Sequence, residues 1–150
     1  MRPDILLTIR GTQRYADHDP EVIELTTEAE LRHENGVLWL RYPESALTGL
    51  EGTVTTFILH PHRVQLKRTG AVTNEMEFEV GKVHQSLYDT GHGALLVTIR
   101  TTAIEDEMTL EGGTLRVAYD ISIEGLGMGT IEYLLRARRL TPRREKGEST

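Results

Sequence analysis

The stretch Leu115-Arg116-Val117-Ala118-Tyr119-Asp120-Ile121-Ser122-Ile123 decides the fold. Leu115, Val117, Tyr119, Ile121 and Ile123 hold one phase of a two-residue alternation, while Arg116, Asp120 and Ser122 take most of the other. Successive side chains of an extended chain point to opposite sides, so this segment is a strand with one face in a core. A helix turns by about 100° per residue and would scatter the same five side chains around its circumference. Upstream, Ile23, Leu25, Thr27, Ala29 and Leu31 alternate with Glu24, Thr26, Glu28, Glu30 and Arg32 in the same way. Strand-like patterns also cover residues 4–14, 36–42, 53–59, 63–69, 73–80, 83–89, 94–103, 105–110 and 130–138.

Short turn signals separate most of these segments. Asn35-Gly36 accepts the positive φ of a tight hairpin, and Glu111-Gly112-Gly113 can do the same. Pro61, between His60 and His62, lacks an amide donor and suits a turn rather than a ladder. The segments 91–93 and 125–129 carry glycines suited to tight or bulged connections. Residues 44–50 are too short for a stable helix and predict a loop or a single turn.

Strands joined mainly by hairpins leave a barrel or a two-layer sandwich, and closure removes the exposed edges of a long antiparallel sheet. The expected fold is an all-β antiparallel barrel of about eight to ten strands, with an interior that is either packed or open to a small ligand. Leu25, Leu31, Phe57, Leu66, Phe78, Leu96, Val117, Ile121 and Leu135 are its expected interior. Residues 1–140 form the barrel domain, and residues 141–150 a basic, flexible C-terminal tail with almost nothing apolar to bury.

Composition narrows the function classes. The 150 residues carry a net charge of −6, and since residues 136–150 hold six basic and two acidic side chains, residues 1–135 stand at −10. An acidic body repels phosphate backbones, so no nucleic-acid partner is expected. Aromatic residues make up 5% of the chain, too few for a base-stacking platform. The absence of cysteine excludes disulfides and thiolate chemistry. Ile5-Leu6-Leu7 is too short for a signal-peptide core or a membrane span, which makes a cytoplasmic protein with no membrane partner the expectation.

Several elements resemble, in order and spacing, the DUF1934 family of small bacterial proteins. They are Leu40-Arg41-Tyr42-Pro43-Glu44 with Gly49, Arg68-Thr69-Gly70, Met76-Glu77-Phe78 with Gly81, Tyr88-Asp89-Thr90 with Gly93, Thr101-Thr102, and Gly113-Thr114-Leu115 leading to Tyr119. The resemblance runs from about residue 5 to residue 135. It implies a calycin or lipocalin-like barrel and brings no established activity or catalytic residues.

Arg68 is the most informative polar residue. It shares a strand phase with Val64 and Leu66, while Arg63, Gln65 and Lys67 occupy the other, so strand geometry points it inward. An inward guanidinium needs partners, and its planar fork suits a buried carboxylate or the carboxylate or phosphate of a ligand. Glu44, following Tyr42 and Pro43, is the leading carboxylate partner. Among the tyrosines at 42, 88, 119 and 133, Tyr119 belongs to an apolar phase and Tyr88 precedes a glycine-flanked polar loop. Arg68, Glu44, Tyr42, Tyr88 and Tyr119 are therefore the candidate ligand-binding residues.

No catalytic, cofactor or metal residues are assigned. His60 and His62 are separated by a turn proline with no third ligand close in sequence, and no nucleophile elbow, HExxH motif or phosphate-binding glycine loop is present. The expected function is non-enzymatic binding of a small amphipathic or anionic molecule. A small-molecule enzyme using polar groups at the barrel mouth and a structural or protein-interaction domain are the alternatives, and a homodimer is the expected protein partner.

Overall fold

In the computed structural model, which describes residues 3–16, 18–89 and 91–140, the alternating segments become ten strands. They are β1 (Ile5–Tyr15), β2 (Glu21–Glu34), β3 (Val37–Pro43), β4 (Thr53–His60), β5 (Arg63–Gly70), β6 (Asn74–Phe78), β7 (Val83–Asp89), β8 (Ala94–Asp106), β9 (Gly112–Ile123) and β10 (Leu126–Arg139). A 3₁₀ turn (Ala46–Thr48) follows β3. The strands form one antiparallel sheet in the order β6-β5-β4-β3-β2-β1-β10-β9-β8-β7. Chain neighbours other than β6 and β7 pair in antiparallel fashion, and the ladder from Ile5↔Arg139 to Tyr15↔Gly129 joins the first strand to the last.

The sheet curls into a nearly closed ten-stranded barrel. At its seam, β6 and β7 meet without a continuous ladder. A single bridge joins Thr73 to Asp89, Asn74 Nδ2 donates to Ser86 Oγ at 3.5 Å, and the Glu77 amide donates to His84 Nδ1 at 3.3 Å.

Turn chemistry acts where the sequence anticipates it. Asn35 and Gly36 (φ 53° and 81°) make the β2–β3 hairpin, and Glu124 and Gly125 (φ 54° and 72°) repeat it between β9 and β10. Residues 44–50 contain a single 3₁₀ turn, capped by Ser45 Oγ accepting from the Leu47 amide.

Three expectations are corrected. Residues 105–110 are no separate strand: β8 runs through to Asp106, and the chain then turns as Asp106 Oδ1 accepts from the Met108 amide and Thr109 bridges to Gly112. Gly112 and Gly113 accordingly begin β9 instead of making the turn, and a Cβ on Gly113 would run into the Glu107 carbonyl oxygen. Leu96 also lies outside the interior set. Val97 and Ile99 are the buried phase of β8, while Leu96 shares the outward phase with Thr98 and exposed Arg100. The expected tail, residues 141–150, lies outside the described residues.

The barrel is filled at one end and hollow at the other. Leu31, Leu40, Phe57, Leu66, Phe78, Val117 and Leu135 pack the end that carries the β2–β3 and β4–β5 turns. Leu25 and Ile121 also face inward, but towards the opposite end, where β1–β2 and β9–β10 connect.

A clasp at the packed end ties three strands through Asp4. Its Oδ1 accepts from the Leu31 amide at 3.0 Å, and its Oδ2 accepts from Arg32 at 2.6 Å and from Arg139 at 2.8 Å. Charge-assisted bonds are stronger than neutral ones, and Asp4→Ala removes the common acceptor. The expected cost is about 2 kcal/mol, read as a lower urea midpoint at unchanged slope. An unchanged midpoint would show that the clasp contributes nothing.

Candidate functional site

The hollow half of the barrel is a cavity of about 320 Å³. Its walls differ because the inward phases of different strands carry different residue types. β3 and β5 contribute Tyr42 and Arg68, and Glu44 follows directly after β3. Facing them, β1, β2, β8, β9 and β10 contribute mostly aliphatic side chains, including Ile9, Leu25, Val97, Ile121 and Ile131.

The segment after β3 folds inward and buries Glu44. The Glu44 amide donates to the Thr53 carbonyl, and the 3₁₀ turn brings Thr48 over the carboxylate. Oε1 accepts from the Thr48 hydroxyl at 3.0 Å and Oε2 from the Thr55 hydroxyl at 2.6 Å. The Glu44 side chain is only 3% exposed and that of Arg68 only 9%. Arg68 Nε stands 4.0 Å from Glu44 Oε2, close enough for charge attraction and too far for a hydrogen bond. Buried Arg68 Nε has no hydrogen-bond partner.

All five tyrosines of the chain, Tyr15, Tyr42, Tyr88, Tyr119 and Tyr133, line this cavity. Both phenylalanines lie against them: Phe57 stacks on Tyr42 and meets Tyr133 edge-on, each with centroids 6.5 Å apart, and Phe78 packs on Tyr119 at 4.9 Å. Gly11 makes room on β1, since a Cβ there would sit 3.4 Å from the Tyr133 ring. Burial, reinforced by the Glu44 charge, pushes the Tyr42 hydroxyl well above the ordinary tyrosine range. Burial and then Tyr133 do the same for Tyr119, and burial raises Tyr88. These hydroxyls remain neutral donors. Burial opposes the charge on Arg68, but interactions with Tyr133, Tyr42 and Glu44 outweigh it, and the guanidinium is held above its ordinary value. The cavity thus presents one permanent cation, a carboxylate beside it and a set of O–H donors, set against an apolar wall.

Arg68, Glu44, Tyr42, Tyr88 and Tyr119 are all brought together here. Sequence reasoning left out Tyr133 and Tyr15, although both share the inward phases of their strands, and it left out Thr48 and Thr55, which hold Glu44. Trp39 stands apart on the outer face, with the Arg41 guanidinium 5.3 Å from its ring centre. Among the described residues no group of three or more His, Cys, Asp or Glu side chains is placed to hold a metal ion, and His60 hydrogen-bonds Gln65. No helix among them is long and apolar enough to cross a membrane.

Residues 7–135 match the family described as a domain of unknown function, DUF1934. The chain belongs to the DUF1934 family. The crystal structure of the ywiB protein from Bacillus subtilis is similar to it, with a TM-score of 0.77 and 23% sequence identity over 89% of this chain and 91% of that one. At that identity the likeness shows a shared fold. No curated protein matches the chain. Within this DUF1934 barrel, the inward elements from which the family resemblance is read, around Tyr42, Arg68, Tyr88 and Tyr119, border the cavity.

Proposed function

We propose that the protein is a cytoplasmic, calycin-like binding protein for a small amphipathic anion, and that it is not an enzyme. The observation that carries this reading is the buried Arg68 guanidinium, which borders the cavity and approaches its one carboxylate neighbour, Glu44, only to 4.0 Å. A buried cation without a close countercharge is costly, and the carboxylate or similar head of a bound ligand beside the guanidinium reduces that cost. Tyr42, Tyr119 and Tyr133 add hydroxyls around the same head, while Leu25, Ile121 and Ile131 receive the apolar part of the ligand. The cavity volume falls at the lower end of the range of about 300–1,000 Å³ usual for small-molecule sites.

Calorimetric titration with sodium octanoate tests the reading. Saturable binding is expected, and Arg68→Gln should weaken it by about tenfold or more while the strand signature in circular dichroism persists. Equal affinity in the two proteins would remove Arg68 from the site, and absence of saturable binding to the wild type would sink the proposal.

A further inference from the structure

We propose that an anion entering the cavity carries a proton in with it, taken up by Glu44. This inference rests on the binding reading above and concerns the charge balance that such binding requires. Among the described residues lining the cavity, Arg68 is the one cation and Glu44 the one carboxylate, so the unliganded site is neutral overall. The groups facing Glu44 are Arg68 from β5, Thr55 from β4, Thr48 from the 3₁₀ turn and the phenols of Tyr42, Tyr88 and Tyr133. Among the described residues lining the cavity, no second cation stands beside Arg68 to balance an incoming anion.

Binding a second anion beside a single guanidinium places two negative charges next to one buried cation. Neighbouring anions in such a site disfavour each other's charged form, and one of them takes up a proton. Arg68 cannot adjust, because an arginine side chain does not lose its proton in proteins. Glu44 can. Its two oxygens rest against the hydroxyls of Thr48 and Thr55, and a hydroxyl donates or accepts equally well. When a solvent proton converts the carboxylate to the acid, the new O–H can donate to either threonine oxygen after a hydroxyl rotation, with no heavy atom displaced. Neutral Glu44 then ceases to compete for the guanidinium, and Arg68 turns its charge to the ligand. Binding therefore strengthens as pH falls, and the protein captures its ligand in acid and releases it in alkali.

The test uses octane-1-sulfonate, whose head stays ionised, so any proton taken up belongs to the protein. Calorimetry at about pH 7.5 in phosphate and in Tris, which differ in ionisation enthalpy, should show about one proton absorbed per sulfonate bound. Affinity should weaken as pH rises across the neutral range. Glu44→Gln should bind with no proton uptake and a flat pH profile, and more tightly than the wild type at the alkaline end. Binding to the wild type with equal heats in both buffers and a flat pH profile would overturn the inference and leave the binding reading standing. Undiminished proton uptake by Glu44→Gln would overturn the assignment to this residue. If neither octane-1-sulfonate nor octanoate binds the wild type saturably, both readings fall. Should Glu44→Gln not fold, the wild-type buffer and pH dependence decides the matter, and Thr48→Val with Thr55→Val, which removes the groups that can accept the new proton, is expected to reduce the uptake.

Discussion

Arg68→Met is expected to lower the unfolding free energy by about 3 kcal/mol near neutral pH. The substitution leaves the Glu44 carboxylate buried, held by two threonine hydroxyls and facing no countercharge. Such a carboxylate binds a proton more readily in the folded variant than in the unfolded chain. Stability is then retained below the ordinary carboxylate range and lost as pH rises through and above it, so the deficit relative to wild type grows towards neutrality and fades in acid. The double variant Arg68→Met/Glu44→Gln, with both charges removed, should recover most of the loss, as a coupled pair requires. Urea denaturation of the four proteins at about pH 5 and pH 7.5 reads the whole cycle. A loss that is the same at both pH values, or that Glu44→Gln fails to repair, would mean that Arg68 contributes through packing of its stem and not through the pair.

Phe57→Ala should cost about 4 kcal/mol, a large part of the total stability of a domain of this size. Phe57 is 1% exposed and lies between Tyr42 and Tyr133, so its ring is both core and support for two residues of the cavity. Its removal leaves a void directly beneath the cavity, into which the two tyrosines lose their shared contact. The variant should therefore shift preference towards longer anions, measured as the ratio of dodecane-1-sulfonate to octane-1-sulfonate affinity. A cost below about 1.5 kcal/mol would show that the packed end collapses to fill the space. An unchanged chain-length preference would show that Phe57 does not bound the site.

Much of the site is readable as parity along single strands. Val64, Leu66 and Arg68 alternate with polar neighbours, and this places the Arg68 side chain inside before any partner strand is known. The same holds for Tyr42 after Leu38 and Leu40, and for Tyr119 between Val117 and Ile121. Asn35-Gly36 marks its hairpin because positive φ is a property of the local residues. Parity fails where both phases begin alike. Leu95 and Leu96 are adjacent, and the phase is legible only further along, where Val97 and Ile99 alternate with Thr98 and Arg100 and face the core.

What the sequence by itself determined is thus the all-β class, most of the hairpins and the inward side of most strands, because alternation and turn chemistry act over a few residues. The tertiary structure decided how deep each inward residue lies. Leu66 and Arg68 are two positions apart on the same face, yet one packs in the filled end and the other borders a cavity. That division depends on the stagger of ten strands and on the β1–β10 ladder, which joins residues at opposite ends of the chain. It also depends on the loop after β3, which carries Glu44 back over the barrel to within 4.0 Å of Arg68. Depth, closure and that encounter arise from long-range pairing, and no local pattern encodes them.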